Sequence, residues 1–464
     1  MYSIGVDIGT STTAVIISKI DIITKTGPSL LPLTQIEKTE IVYAGPICFT
    51  PLINHDTIDF DGIKQIVGGC ISESGIAKEQ IETGAVIITG ETARKENAAR
   101  VSTSLSEYLG DFVVATAGPK LESILAGRGS GICDESKRRN KMIMNLDIGG
   151  GTLNASVFDC GNSVASFAMD IGGRLIRFDS DLRITYSSDR IEPILTRYGL
   201  LPKVGSITDW TQLEHICELL ADACLQGCNL KVLTPQTEKL FLTEMPFFRT
   251  PDFISISGGV GEYVTDYSRN AVRSKSLEYG DIGPILGKKI YDAFRPYGSK
   301  LIVPKETIRA TVIGAGNHTL ALSGSTVGVD ANILPIRNIP IVKSQTLPEE
   351  WHRLYEQTKP LLPLYTEEVL ALGIHGKPSP KYEELKLLAS QIACLFDHTD
   401  SPVIILLKED FAKALAQVLR IHANCSKPIV CLDHIDWAQG DYIDIGRPVG
   451  SAIPVVIKTL IYRS

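Results

Sequence analysis

With 464 residues, an apolar fraction of 44% and a charged fraction of 21%, the chain is too long for a single core and is balanced like an ordinary globular protein, so two or three domains are expected and dominant disorder is not. The net charge of -7 is mild, and the densest basic run, KRRNK at 137–141, is too short to track a phosphate backbone, which argues against nucleic acid as a partner. The chain enters an apolar strand at once, without a leader-like segment, and no apolar run reaches the roughly 18 residues that span a bilayer, so a cytoplasmic protein with no membrane partner is expected.

Residues 4–9 and 13–18 read as strands joined by a glycine-threonine turn, 24–39 as a polar loop, and EIVYAGPI at 40–47 as a third strand. A helix follows at 61–74, then strand AVIIT (85–89), helix 91–107, strand FVVAT (112–116) and helix 119–126. KRRNK reads as a solvated loop, after which the order restarts with strands at 142–148, 152–159 and 163–170, and IGGRLIRFD reads as the opening of a helix. The helix TQLEHICELLADACLQGC carries Cys217, Cys224 and Cys228 near one face, where they read as small core residues; the ten cysteines include no CxxC and no disulfide framework. FISISGGVGEYV (253–264) is a buried-type strand, a double glycine and a helix; IRATVIGAG (308–316) reads as a strand ending in glycines. Beyond a proline-spaced linker, helices near 349–358 and 380–396 and an alternation of strands and helix to the end give a third α/β unit. The division expected is 1–135, 136–330 and 331–464.

The chemistry lies in a repeat. GVDIGTSTTAVIIS (5–18) and NLDIGGGTLNASVFD (145–159) match at one constant offset, Asp7, Ile8, Gly9 and Thr12 against Asp147, Ile148, Gly149 and Thr152. A glycine turn freed of side chains aims backbone N–H groups into one concavity suited to phosphate oxygens, and hydroxyls add donors. Gly9, Thr10, Ser11 and Thr12 form one such turn; Gly149, Gly150, Gly151 and Thr152 form the other. Asp7 and Asp147, each at the end of its strand, are placed for a hydrated Mg²⁺ bridging carboxylate and phosphates. Each hairpin alone reads as a plain turn; two together, with Gly258-Gly259 offering bare backbone to a nucleoside ring, read as an ATP/ADP site.

On these motifs the chain resembles the actin-like ATPase superfamily, which implies two ribonuclease-H-like lobes around a nucleotide cleft, an α/β fold with the C-terminal α/β unit added. ISISGGVGEY is similar to the adenosine motif, bringing in Gly261 beside Gly258 and Gly259. Gly172 and Gly173 in MDIGGRLIRFD are similar to the glycine pair after the second phosphate motif. TGETARKENAARV, GDFVVATAGPKLESILAGRGSG, TVIGAGNHTLALSGSTVGV and GDYIDIGRPVGSAIPVVIKTLIY extend the likeness to the ethanolamine utilization protein EutA family over nearly the whole chain. What this implies is an ATP-dependent, chaperone-like reactivating factor for ethanolamine ammonia-lyase that lets adenosylcobalamin replace damaged cobalamin, with an ethanolamine-utilization microcompartment as an associated setting. No DxHxxG pattern is present, so cobalamin is met indirectly, through the lyase.

One departure concerns hydrolysis: chaperone ATPases carry a glutamate before the proline of the connecting helix, and here Gly118 precedes Pro119. Hydrolysis is expected to be slow, or to depend on Asp7, Asp147 or Glu91, the last either positioning water or metal or serving only as a negative charge at a helix N-terminus. His318 reads as a local turn residue, with approach to the cleft as its alternative. Two other functions stay open: a small-molecule kinase, with Asp170 or Asp179 as base, and an actin-like filament protein that self-associates.

Overall fold

The computed structural model describes residues 1–9, 12–25, 33–54, 57–89, 92, 95–109, 113–116, 119–200, 202–269, 280–318, 321–323, 327–365, 368–397, 399–437, 441–448 and 453–459. The first sheet is built from β1 (Tyr2–Ile8), β2 (Thr12–Lys25), β3 (Leu33–Ala44) and the short β4 (Cys48–Phe49). A small hairpin, β5 (Leu52–Asn54) and β6 (Thr57–Ile58), leads into α1 (Phe60–Ser74), β7 (Ile81–Ile88), α2 (Ala98–Leu109) and β8 (Val113–Thr116). Strand order is β3-β2-β1-β7-β8, antiparallel through β1 and parallel beyond it.

After α3 (Pro119–Gly129) and α4 (Ile132–Arg139), β9 (Met142–Ile148), β10 (Leu153–Asp159) and β11 (Asn162–Met169) repeat the antiparallel trio. A hairpin of β12 (Ile176–Phe178) and β13 (Ile184–Ser187) follows, then α5 (Glu192–Leu195), α6 (Trp210–Gly227), α7 (Pro235–Glu238) and β14 (Phe253–Ser257), the last parallel to β9. Next come α8 (Gly258–Ser268), α9 (Gly283–Phe294) and α10 (Ala310–His318). The order β11-β10-β9-β14 thus repeats the order β3-β2-β1-β7 of the first sheet.

Alternation along the strands explains why both sheets bury two different faces. Ile4, Val6 and Ile8 point with Val86 and Ile88 to α1 and α2, so Gly5 and Asp7 fall on the opposite face, against α10. In the second sheet Met144, Leu146 and Ile148 pack with α6, α8 and α9, and Asp147 falls on the face covered by α3 and α4. The two helices α3 and α10 pack closely on each other between the sheets. A Cβ on Gly129 would stand 1.8 Å from the Ala310 carbonyl oxygen, and one on Gly314 would stand 2.0 Å from that of Leu125.

The C-terminal sheet comprises β15 (Ala321–Leu322), β16 (Gly328–Val329), β17 (Ile336–Lys343), β18 (Ala371–Ile374), β19 (Val403–Leu407), β20 (Ile429–Leu432), β21 (Asp441–Ile445) and β22 (Pro454–Thr459). Its order is β15-β22-β21-β17-β18-β19-β20-β16, with β17 to β20 parallel. Helices α11 (Leu354–Thr358), α12 (Tyr382–Phe396) and α13 (Ala412–Ile421) cover one face, and β22 lies against β8 of the first sheet.

Four local expectations change. Residues 308–316 contribute helix α10, not a strand: Ala310, Val312, Ile313 and Ala315 are all buried, and a short run apolar all round carries no period that separates strand from buried helix. Of the expected 24–39 loop, the described residues 24–25 and 33–39 are strand, the outer part of the β2–β3 hairpin, and polar Glu37 and Lys38 there are exposed rather than irregular. IGGRLIRFD turns into β12 instead of opening a helix, because the N–H groups of Gly173 and Arg174 are spent on the carbonyls of Gly149 and Gly150. KRRNK is the last turn of α4 and its left-handed Asn140 cap, where positive charge complements the helix dipole.

The α3–α10 crossing yields a stability test. Gly314→Ala, forced against backbone, should destabilise by about 1–3 kcal/mol or more, whereas Gly69→Ala, on α1 with no atom within 4 Å of its added Cβ, should be neutral or gain up to about 1 kcal/mol. Denaturant unfolding of the two variants checks the difference.

Candidate functional site

The two acidic hairpins are built alike. Gly9 donates its N–H to the Thr12 carbonyl at 2.9 Å, and Gly149 donates to Thr152 at 3.0 Å. Each turn thus closes on its own ends, leaving the two central residues to shape the mouth. Thr10 and Ser11 lie outside the described residues; in the second turn these positions are Gly150 and Gly151. The first turn is braced from outside, since the Thr50 and Thr92 hydroxyls both donate to the Gly9 carbonyl, at 2.8 and 3.0 Å.

The second turn is braced by backbone. Gly173 N–H donates to the Gly149 carbonyl at 3.0 Å and Arg174 N–H to that of Gly150 at 2.6 Å. A Cβ on Gly172 would stand 2.4 Å from the Gly150 oxygen, so the glycine pair serves as a shelf under the phosphate turn. Arg174 extends the brace to Asp281 at 3.4 Å, and Asp281 accepts the Gly283 N–H at the start of α9.

Gly258 has φ +85 and its backbone lies on that of Ile148, where a Cβ would meet the carbonyl oxygen at 2.5 Å. Only glycine combines that conformation with that approach. Gly259 borders open space, with nothing within 4 Å of an added Cβ, while Gly261 packs on Ile256. The end of β9, the first turn of α8 and the 149–151 turn therefore meet at one place.

Asp7 and Asp147 are held by hydroxyls. Thr89 donates to Asp7 Oδ1 at 2.9 Å. Ser257 donates to Asp147 Oδ1 at 2.7 Å, Thr311 donates to Oδ2 at 3.2 Å, and Asn145 in turn donates to Ser257 at 2.9 Å. Thr311 sits in the first turn of α10, so the helix that packs on the Asp7 face also reaches Asp147. Burial pushes Asp7 up to about 7, with the Thr89 hydrogen bond opposing and the charge of Asp147 adding to the rise. Burial likewise raises Asp147, against the hydroxyls of Ser257 and Thr311. Asp147 is 7% exposed and Asp7 keeps partial solvent access. Among the described residues no Lys, Arg or His forms an ion pair with either carboxylate.

Two hydroxyl-held carboxylates close enough to interact, and with no cation paired to them among the described residues, offer the oxygen donors that a hard divalent ion takes while keeping part of its water shell. The partner hydroxyls were not singled out in the sequence. Ser257 left a signal, a polar residue on an otherwise apolar strand; Thr311 left none once its segment read as a strand.

Other candidates separate from this centre. Glu91 and Gly118 lie outside the described residues, and His318 closes α10. Asp170 pairs with Arg190 at 3.1 Å, and Asp179 accepts the N–H groups of Asp181 and Arg183 within a turn, so both carboxylates of the kinase reading have structural work. Cys217, Cys224 and Cys228 are buried in the second lobe's core, where burial raises their thiols, that of Cys224 to about 12.

The raised Asp7 carboxyl fixes a sign. The fold favours its protonated form, so this contribution to stability is complete below the ordinary carboxylate range and is lost as pH rises through about 7. Without metal, Asp7→Asn should therefore melt increasingly above the wild type between about pH 5 and about pH 8. Scanning calorimetry of both proteins in chelator reads the difference; a gap that shrinks with pH contradicts the assignment.

The family described as "Ethanolamine utilisation protein EutA" matches residues 1–463. Proteins named ethanolamine ammonia-lyase reactivase EutA, from Salmonella typhimurium and from Escherichia coli K12, are each 34% identical over 100% of this chain and 99% of their own. Among solved structures, the activator of the 2-hydroxyisocaproyl-CoA dehydratase from Clostridium difficile with bound ADPNP is 12% identical (TM-score 0.31, covering 68% of this chain and 93% of that one). The Aquifex aeolicus Ppx/GppA phosphatase is 13% identical (TM-score 0.40, 68% and 99%). The match in sequence runs through both duplicated lobes and the C-terminal sheet, and the chain belongs to the EutA family of ethanolamine utilisation proteins.

Proposed function

We propose that this chain is a nucleotide-driven reactivating factor for ethanolamine ammonia-lyase: magnesium-ATP draws the two lobes together, and the closed and open forms differ in affinity for a lyase stalled with damaged cobalamin. The observation that carries the reading is the pair Asp7 and Asp147, close enough for the charge of Asp147 to act on Asp7 and, among the described residues, paired with no cation. Such a pair is costly as two charges and is relieved by a divalent ion brought in with a phosphate ligand.

In this reading Asp7 and Asp147 hold Mg²⁺, the turns at 9–12 and 149–152 supply N–H and hydroxyl donors to phosphates, and Gly258, Gly259 and Gly261 form the wall for adenosine. Thr311 gives the closing motion a lever, because it ties Asp147 to a helix packed on the Asp7-bearing sheet. Nucleotide can move the lyase equilibrium only by the difference in its affinity for the two forms; about 3 kcal/mol of coupling changes cofactor release roughly a hundredfold. Cobalamin is met on the lyase, and an ethanolamine-utilization microcompartment is the setting this function suits.

The test combines the protein, ATP, Mg²⁺ and adenosylcobalamin with lyase inactivated by cyanocobalamin. Recovery should require all four. Asp147→Asn should weaken magnesium-ATP binding and slow recovery together, each by roughly tenfold or more, about 1.4 kcal/mol. Full recovery without nucleotide, or stoichiometric phosphorylation of ethanolamine, sinks the proposal.

A further inference from the structure

With Asp7 and Asp147 taken up by the cation and Glu91 outside the described residues, the water that attacks a bound triphosphate needs a group among the described residues to orient it and accept its proton. The described residues place one more carboxylate beside the pair. Glu122 lies in the first turn of α3, the helix that covers the Asp147-bearing face of the second sheet. Its Oε1 accepts a hydrogen bond from Asn154 Nδ2 at 2.6 Å. Asn154 is 2% exposed and stands directly opposite Asp147 in the β9–β10 register. Opposed residues of an antiparallel pair point to the same side with Cβ atoms about 5 Å apart, so Glu122 is one side chain removed from Asp147, on the same face. It also keeps partial solvent access, which Asp147 lacks.

We infer that Glu122 is the water-positioning residue of this ATPase, held at its distance from the metal carboxylates by Asn154. This rests on the reading of the cleft as a magnesium-ATP site. In the step, the water oxygen bonds to the γ-phosphorus while the bond from that phosphorus to the β–γ bridging oxygen breaks and its electron pair leaves with ADP. One water proton stays on the released phosphate; Glu122 accepts the other and passes it to solvent. The longer reach from one turn inside the helix compensates for the glycine that precedes Pro119.

Glu122→Gln leaves an amide oxygen for Asn154 and so preserves the structural tie. Calorimetric affinity for magnesium-ATP should stay within about twofold and the melting temperature should not move, while single-turnover hydrolysis falls by roughly tenfold or more and the acid limb of its pH–rate profile disappears. Glu122→Asp, one methylene shorter, should bind normally and hydrolyse at an intermediate rate. Hydrolysis by Glu122→Gln at the wild-type rate, or affinity and hydrolysis lost in proportion, overturns the inference and leaves the nucleotide site standing. A wild type that takes up no magnesium-ATP overturns both.

Discussion

Two carboxylates that the fold brings together, with no counter-charge among the described residues, set the terms for the rest of this molecule. Asp7 and Asp147 come from separate hairpins, and each is surrounded by strand and helix backbone and by hydroxyl groups. Hydroxyls steady a carboxylate but do not neutralise it, so burial raises both groups toward the protonated form. In the proposed reading an incoming divalent ion would remove that penalty, and the glycine turns beside the aspartates would offer N–H groups to its phosphate partner. On that reading, affinity for metal and nucleotide would depend on how closely the two sheets approach.

The helices between the sheets make this coupling mechanical. α10 packs on the first sheet yet its Thr311 bonds Asp147 of the second; α3 leaves the first lobe yet covers the second sheet. Their crossing depends on glycine, since Gly129 and Gly314 have backbone where a side chain would stand. A contact made of backbone has few rotamers to adjust, so in the proposed closure a shift at one sheet would pass to the other as displacement of a rigid element. The C-terminal sheet, resting on the first lobe through β22 and β8, is positioned to move with it.

Much of this was legible in the residues. The constant offset between the two acidic hairpins showed the duplication, because a tight glycine turn after an acidic strand end leaves few choices of residue and both copies made the same ones. The double glycine at 258–259 was visible for the same reason. What sequence could not show was assembly at a distance. Thr89, Ser257 and Thr311 are ordinary hydroxyl residues until folding brings them to a carboxylate, and Asn154 looks like any polar strand residue until its register opposite Asp147 is known. The misread segment 308–316 failed for a related cause: it is buried on every side between the lobes, so no solvent face imposed a helical period. Gly172 and Gly173 show in the structure the close backbone contact with the 149–150 turn that their sequence alone did not reveal.

The central claim, that Asp7 and Asp147 await one magnesium-bound triphosphate, is tested most directly by titration calorimetry of ATP into the purified chain with magnesium and again with chelator. The account predicts one saturable site that needs the metal and is lost when both aspartates are changed to asparagine. Binding of equal strength in chelator, or in the double variant, would contradict it.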